Sequence, residues 1–300
     1  MKHQEFDLPK GIQRSRALPD SALGALWDSI IIDEAHKTQL LSQAVLNFTL
    51  RGKVGRSVIP LHGVILLVGE PGTGKTSLAR GLAHRTALSF PNAKFRLLEV
   101  EPHTLTSSAM GKTQRAVSDL FSQTIAEAAA SGPTIVLLDE VETLAANRSR
   151  MSLEANPIDI HRATDAVLVQ LDILAEQFPN LLFLATSNFP EAVDSAFTSR
   201  CDLVMPVPLP NAQACSLILK DCLNGLSETY PAIGKLVRSS QFERCAAECV
   251  GLDGRAIRKM VANALASSPQ TAMHPEQVTV ENLLAAAQSA RASRTQGAQK

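Results

Sequence analysis

The sequence predicts an α/β fold in which helices cover both faces of a parallel sheet, followed by a smaller helical domain. Short, continuously apolar runs at 64–68, 134–138 and 181–186 alternate with amphipathic stretches. Strands that are apolar along their whole length are buried on both faces, which is typical of parallel sheets. The segment 206–210 contains three prolines and breaks this alternation, so we expect the domain boundary there.

Turn-forming residues and caps divide the chain further. The charged N-terminal stretch contains Pro9, Gly11 and Pro19, which favour irregular structure. Helical periodicity follows it, and Asn211 is placed to cap the first helix after the prolines. The predicted organisation is an irregular N-terminal arm at 1–22, a large α/β domain at 23–209, a small helical domain at 210–290 and a flexible tail at 291–300.

The first apolar run is followed directly by the pattern G-x-x-x-x-G-K-T. Its glycines let successive backbone N–H groups point at a phosphate, and the helix that starts near Lys75 turns its positive dipole end to the same anion. Lys75 would reach the β- and γ-phosphates of a nucleoside triphosphate, and the Thr76 hydroxyl would ligate Mg²⁺. The predicted nucleotide-binding residues are Gly69, Glu70, Pro71, Gly72, Thr73, Gly74, Lys75, Thr76, Ser77 and Asp139.

A second apolar run, 134–138, ends in Asp139 and Glu140. Ligands bind at the carboxyl ends of strands in open α/β sheets, so both carboxylates are expected beside the phosphate loop. Asp139 is placed to hold the hydration shell of Mg²⁺, and Glu140 to activate the attacking water as a general base. Alone, a strand followed by Asp-Glu is more typical of a solvated pair that caps a helix. The phosphate loop favours the catalytic interpretation.

Two further polar residues fit the same scheme. Asn188 follows the apolar run 181–187 and is placed to orient the lytic water beside Glu140. Alone, such a residue is more often an N-cap or a turn residue. Arg200 stands on a loop before the strand-like residues 203–205, a position where an arginine is usually only solvated surface.

With these four elements in this order, the chain resembles the AAA+ ATPase superfamily over roughly residues 25–290. The resemblance narrows to the pachytene-checkpoint ATPases, which remodel HORMA-domain proteins. It implies an AAA+ three-layer αβα nucleotide-binding domain with a parallel sheet, a small α-helical lid domain, and hydrolysis of ATP with Mg²⁺. The segments that carry the narrower resemblance are 26–33, 72–78, 138–146, 165–172 and 254–259.

The resemblance also implies roles for single residues. Glu140 would be the catalytic base, Asn188 the sensor 1 residue and Arg255 the sensor 2 arginine of the lid. Arg200 would be the arginine finger that acts on the nucleotide of the neighbouring subunit, so we expect a homohexameric ring with its sites between protomers. The order Gly251-Leu252-Asp253-Gly254 predicts a helix end, a turn and a new helix start just before Arg255.

Substrate contact in such rings is made by a loop that lines the central pore. The matching segment, 103–112, departs from the family because Ala109-Met110-Gly111 stands where relatives usually have an aromatic residue before a glycine. Contact with a threaded peptide would therefore depend on the flexible thioether of Met110. The alternative is an ordinary strand-to-helix connection. The irregular segment 149–160 is expected to be a second, mobile pore loop.

The family implies a HORMA-domain protein as the substrate, whose C-terminal segment is locked around a partner peptide and would be opened or released. Eukaryotic relatives have a sizeable adaptor-binding domain before the core, where this chain has only residues 1–22, which suggests a bacterial member that recognises its HORMA protein directly. Bacterial relatives accompany HORMA proteins and cyclic-oligonucleotide synthases in anti-phage defence. The expected role is to disassemble the activating complex and keep signalling off.

Charge and cysteine usage are typical of a cytosolic protein. The 29 basic and 29 acidic residues cancel, which gives no overall attraction to nucleic acid. The N-terminus has no apolar segment of signal-peptide type and the longest apolar runs are strand-sized, so no membrane attachment is expected. The five cysteines form no C-x-x-C framework. We expect them to be reduced and packed in the core rather than bound to a metal.

Two other classes of function also use a phosphate loop of this kind. A DNA-acting AAA+ protein, such as a helicase loader or a branch-migration motor, would show salt-sensitive nucleic-acid binding and DNA-stimulated turnover. The neutral charge and the lack of an appended helix-turn-helix count against it. A nucleotide-gated scaffold would bind ATP and scarcely hydrolyse it, and the presence of Glu140, Asn188 and Arg200 argues against that class.

Overall fold

The computed structural model describes residues 8–101, 112–146 and 157–297. The chain forms two compact units. One contains the residues up to Gly69 together with Lys75–Pro206, and the other contains Glu70–Gly74 together with the residues from Val207 onward. Within the described ranges, no helix combines the length and the apolar character needed to cross a membrane.

One six-stranded sheet forms the centre of the first unit. Its strands are β1 (Ile12–Leu18), β2 (Val64–Val68), β3 (Phe95–Val100), β4 (Thr134–Leu138), β5 (Leu181–Ser187) and β6 (Leu203–Pro206). They lie in the order β1-β3-β4-β5-β2-β6, and every neighbouring pair is parallel except β1 and β3. Val64, Ile65 and Leu66 are all fully buried. Because successive side chains of a strand point to opposite faces, both faces of the sheet are covered.

Helices pack around this sheet, as the α/β prediction requires. They are α1 (Ser21–Ser29), α2 (Glu34–Leu50), α3 (Lys75–Leu88), α4 (Lys112–Asp119), α5 (Ala126–Ser131), α6 (Pro157–Gln177) and α7 (Ser195–Thr198). A π-helical segment, Leu120–Ile125, joins α4 to α5, and its Phe121 ring stacks on Phe183 of β5 with centroids 5.8 Å apart. The parallel sheet and its helical layers confirm the predicted fold class.

The N-terminal segment corrects one prediction. The sequence predicts an irregular arm at 1–22, but β1 lies in that range and pairs antiparallel with β3. Ile12 and Leu18 are 7% and 6% exposed, and the residues between them are mostly exposed, so the strand buries only its ends. Its glycine and prolines flank β1 instead of interrupting it, which an edge strand tolerates.

The second unit is helical. Its helices are α8 (Ala212–Ser227), α9 (Phe242–Glu248), α10 (Gly254–Leu265), α11 (Pro269–Met273) and α12 (Val280–Gly297). Asn211 caps α8 as predicted, because its Oδ1 accepts the N–H of Ala214 at 2.8 Å. Asp253 caps α10, and Gly251, with φ of +92°, makes the turn before it. The predicted helix end, turn and helix start are therefore confirmed.

The C-terminal helix also differs from expectation. The sequence predicts a flexible tail at 291–300, but α12 continues to Gly297. Arg291 on this helix donates to the carboxylate of Glu248 on α9 at 3.1 Å. This contact and the alanine-rich sequence before it, which favours helix, extend the helix beyond the predicted end.

Candidate active site

Three predicted site segments meet at one edge of the sheet because their strands are parallel neighbours. β4, β5 and β2 are adjacent and run in the same direction. Asp139 directly follows β4, Asn188 follows β5 and Gly69 follows β2. The carboxyl edge of the sheet, where ligands of such folds bind, therefore brings together the segments that the sequence predicted to act together.

The phosphate loop connects β2 to α3, which begins at Lys75. Gly72 and Gly74 have φ values of +85° and +96°, a conformation that strains any residue with a side chain. Thr73 closes the turn through its hydroxyl, which donates to the carbonyl of Glu70 at 2.9 Å. The first N–H groups of an α-helix have no partner within the helix. The start of α3, with Thr76 and Ser77 in its first turn, is therefore suited to a phosphate.

A chain of hydrogen bonds joins Lys75, Asn188 and Glu140. Lys75 is only 5% exposed, and its Nζ donates to the carbonyl of Gly69 at 2.9 Å and to Oδ1 of Asn188 at 2.8 Å. In turn, Nδ2 of Asn188 donates to Oε1 of Glu140 at 3.1 Å. The residue predicted to orient water is thus in direct contact with the residue predicted to take the proton from that water.

Thr76 and Asp139 form the second contact of the site. The Thr76 hydroxyl donates to Oδ1 of Asp139 at 2.8 Å. A hydroxyl and a carboxylate are hard oxygen donors of the kind that Mg²⁺ takes. Thr76 and Asp139 would hold Mg²⁺ here, Asp139 directly or through one of the waters of the cation.

Glu140 has a left-handed backbone, with φ of +53° and ψ of +55°. Among the described residues it is the only one other than glycine with a positive φ. Its N–H donates to Oγ1 of Thr186 at 3.1 Å, and its side chain is exposed. Such a backbone costs about 1–3 kcal/mol and persists where surrounding contacts impose it, which is common at active sites.

Two residues to which the sequence assigned no role support these contacts. The Thr186 hydroxyl donates to Oδ1 of Asp139 while its oxygen accepts the N–H of Glu140. Glu142 accepts the backbone N–H of Asn188 through Oε1 at 3.1 Å, and its Oε2 is buried without a hydrogen-bond partner. Both residues stand in segments that the sequence marks as strand ends, but nothing in the sequence shows which group each would bind.

Arg200 lies at the opposite edge of the sheet. It precedes β6, which is parallel to β2, and the N–H of Asp202 donates to the carbonyl of Val64 at the start of β2. From Val64 to Gly69 the strand advances five residues, about 16 Å. A single side chain does not span that distance, so Arg200 is remote from the phosphate loop of its own chain.

The guanidinium of Arg200 is held by Asp172 of α6. Nε and Nη2 donate to the two carboxylate oxygens at 2.8 and 2.7 Å, and Nη1 donates to the carbonyl of Ala196 at 2.7 Å. The hydrogen bond with Arg200 lowers the pKa of Asp172, against the effect of burial, and raises the pKa of Arg200. Both groups are therefore charged near neutral pH.

Arg255 and the two expected pore loops complete the set of predicted site residues. Arg255 is exposed on the first turn of α10 in the second unit, and its sensor role stays a prediction. Ala109, Met110 and Gly111 lie outside the described residues, so the pore loop also stays a prediction. Of the expected second pore loop, residues from Pro157 onward belong to α6, which corrects that part of the expectation, and 149–156 lie outside the described ranges.

Known proteins resemble this chain over most of its length. The model of the ATPase family associated with various cellular activities (AAA) matches residues 65–209. The chain is 73% identical over 290 residues to CD-NTase-associated protein 6 of Pseudomonas aeruginosa, and the alignment covers 97% of this chain and 95% of that protein. It is 33% identical to the pachytene checkpoint protein 2 homolog of Oryza sativa subsp. indica, and that alignment covers 84% of this chain and 61% of the relative.

A solved structure shares the fold. A chain in the structure of the E. coli MS115-1 HORMA:CdnC:Trip13 complex aligns with a TM-score of 0.72 over 93% of this chain and 95% of that chain. The two sequences are 20% identical, so this likeness concerns the fold alone.

Proposed function

Because the chain belongs to the ATPase family associated with various cellular activities, in its pachytene-checkpoint branch, we propose that it is a Mg²⁺-dependent ATP hydrolase that assembles as a ring and remodels a HORMA-domain protein. One observation carries the hydrolase activity: the hydrogen-bonded chain from Lys75 through Asn188 to Glu140. It joins the predicted phosphate-binding lysine to the predicted general base through an amide placed to orient water.

Each group of the site has one task in hydrolysis. Thr76 and Asp139 would hold Mg²⁺, which would supply positive charge to the triphosphate. Lys75 binds the β- and γ-phosphate oxygens, Glu140 accepts a proton from the attacking water, and Asn188 fixes that water beside Glu140. Most of the rate comes from positioning and charge stabilisation, because phosphoryl transfer needs little covalent chemistry from the protein.

Arg200 acts on the nucleotide of a neighbouring protomer. Its position before β6, at the sheet edge away from its own phosphate loop, supports action in trans. The positive charge of Arg200 can stabilise the transition state only when a second copy of the chain brings its bound nucleotide to this edge. The assembly is a homohexameric ring whose sites lie between protomers, with Arg255 reporting the nucleotide state to the lid.

Relatives of the chain indicate the substrate class. One relative is named for its association with a CD-NTase, and the fold recurs in a complex that contains a HORMA protein. The ring opens its HORMA protein, or disassembles the complex of that protein with a cyclic-oligonucleotide synthase, and so keeps anti-phage signalling off in the cytoplasm. Ala109, Met110 and Gly111 line the pore and contact the substrate.

A trapped variant tests this function. Tagged Glu140→Gln protein should bind ATP and hydrolyse it very slowly, because the general base is lost while the phosphate contacts remain. It is added to the native lysate with ATP and Mg²⁺, and the proteins that co-purify are identified by mass spectrometry, before and after nuclease treatment. Lys75→Ala, which should not hold the triphosphate, is the matched control.

The outcomes separate the candidate functions. Recovery of a HORMA-domain protein with Glu140→Gln, and not with Lys75→Ala, supports the remodelling function and identifies the substrate. Nuclease-sensitive DNA with no protein client would instead favour the DNA-acting class. Undiminished turnover by Glu140→Gln would overturn the assignment of the base.

A further inference from the structure

The contacts of Arg200 use only part of its hydrogen-bonding capacity. A guanidinium carries five N–H donors, and three of those of Arg200 are engaged: two by Asp172 and one by the carbonyl of Ala196. One N–H on Nη1 and one on Nη2 have no partner in the part of the chain that the structure describes. Asp172 therefore does not have to be displaced before Arg200 can bind a phosphate oxygen.

The pair lies in an open cleft that contains two arginines and two carboxylates. The cleft has a volume of about 510 Å³ and is lined by Arg56, His62, Asp172, Ile173, Glu176, Ser199 and Arg200. The carboxylate of Asp172 lies 3.7 Å from Nε2 of His62. Burial, followed by the nearby charge of Arg56, lowers the pKa of His62, so its imidazole is mainly neutral at pH 7 and does not compete for Asp172.

The backbone beside Arg200 is fixed as firmly as the side chain. The carboxylate of Asp202 accepts the N–H groups of His62 and Gly63, just before β2, and of Val64, its first residue, at 2.8, 2.7 and 3.1 Å. Charge-assisted hydrogen bonds of this kind are about twice as strong as neutral ones. The loop that carries Arg200 is thus tied to the sheet at one end, and the guanidinium is tied to α6 at the other.

We propose that Asp172 is a positioning residue for hydrolysis: it holds one edge of the Arg200 guanidinium and aims the two remaining N–H donors at the terminal phosphate of ATP bound to a neighbouring protomer. This inference depends on the trans role of Arg200 proposed above. It assigns to Asp172 an effect on the rate of hydrolysis, with no contact to the nucleotide and no effect on its binding. An alternative in which Asp172 restrains Arg200 predicts the opposite sign.

The test compares Asp172→Ala and Asp172→Asn with the native protein. A catalytic group that is misplaced by about 1 Å loses roughly 100-fold in rate, so Asp172→Ala should lower kcat about 10- to 100-fold. Asp172→Asn keeps one acceptor oxygen and should lie between the two. The KM for ATP should change little, because each nucleotide is bound mainly by the phosphate loop of its own protomer. Asp221→Asn, which neutralises a carboxylate 3.0 Å from Arg258 on the second unit, is the matched control.

A double-mutant cycle shows whether Asp172 acts through Arg200. In an Arg200→Ala background, adding Asp172→Ala should change kcat no further, because there is no guanidinium left to position. Ring size from light scattering and affinity for a fluorescent ATP analogue are measured on every variant. If Asp172→Ala does not assemble, Asp172→Asn carries the comparison.

The outcomes test the positioning role of Asp172 separately from the trans role of Arg200. Full activity of Asp172→Ala and Asp172→Asn beside an inactive Arg200→Ala would overturn the positioning role and leave the trans arginine intact. Increased activity on substitution of Asp172 would also overturn it, in favour of restraint. A further loss in the double variant would show that Asp172 acts elsewhere. Full activity of Arg200→Ala itself would remove the proposed finger, whatever Asp172 does.

Discussion

Glu142 is expected to set the rate of hydrolysis through the backbone of Asn188. Its Oε1 accepts the N–H of Asn188 at 3.1 Å, and the side chain of the same Asn188 binds Glu140. Substitution by alanine removes the acceptor. A hydrogen bond to a charged group contributes about 1.5–3 kcal/mol, and each loss of about 1.4 kcal/mol in transition-state alignment slows the reaction tenfold. We therefore expect Glu142→Ala to lower kcat about 10- to 100-fold.

Glu142→Gln distinguishes positioning from mere folding. Glutamine can still accept the N–H of Asn188, but a neutral hydrogen bond contributes only about 0.5–1.5 kcal/mol, so its kcat should fall between those of the native and alanine proteins. The buried Oε2 has no partner, which means that the native carboxylate already carries a desolvation cost. Neither substitution should therefore lower the melting temperature by more than a few degrees.

The assay is steady-state ATP hydrolysis at saturating Mg²⁺, with KM determined in parallel and ATP affinity measured by direct binding. Glu142 lies in the turn after β4, outside the phosphate loop and α3, so ATP affinity should be retained. An undiminished kcat in Glu142→Ala, or a loss that appears only in ATP binding, would refute the role of this carboxylate.

Three other predictions concern stability and reactivity. Burial lowers the pKa of His62, so below roughly pH 6.5 this residue binds more protons in the unfolded chain than in the folded one. Stability should therefore fall as the pH is lowered through this range. The native melting temperature should drop more than that of His62→Asn between roughly pH 7.5 and 5.5, and equal drops would contradict this. Arg51 donates to three backbone carbonyls, so Arg51→Met should cost about 1–3 kcal/mol in denaturant unfolding, and no change would show that water replaces it. Burial raises the pKa of Cys245 to about 11 and of Cys249 to about 12. Neither should react with iodoacetamide near neutral pH before unfolding, and rapid labelling detected by mass spectrometry would show that their helices open.

The sequence predicts most of the carboxyl edge because each element there follows its own apolar strand. The phosphate loop, Asp139 and Asn188 each come directly after such a run, and a parallel sheet brings those ends together. The side chains that hold functional residues in place are not predictable in this way. Asn188 is bound by a carboxylate 46 residues earlier in the chain, and Arg200 by one 28 residues earlier. Pairings of this kind arise from tertiary packing and leave no local pattern.

β1 shows a second limit of sequence reasoning. Its charged residues favour an exposed arm, but one of them, Arg16, lies beside a buried carboxylate of the neighbouring strand. Glu99 of β3 is 2% exposed and is bound by Arg80 of α3 at 2.7 Å, and Arg16 of β1 lies 3.8 Å from its second oxygen. A buried carboxylate is costly without cations nearby. The charges that make this segment appear irregular are among those that dock it on the sheet.

The parallel pairing of β2 and β6 leads to a quantitative test of trans action. Neither Lys75→Ala nor Arg200→Ala rings should hydrolyse ATP, because every interface lacks one group. In a mixed ring, an interface works when an Arg200→Ala protomer, which has Lys75, offers its nucleotide to a Lys75→Ala protomer, which has Arg200. With equal amounts and random assembly this holds at about one quarter of interfaces. Mixing should therefore restore up to about a quarter of native turnover where interfaces act independently. No recovery at any ratio would contradict independent trans sites, and recovery should disappear when each variant is crosslinked into rings before mixing.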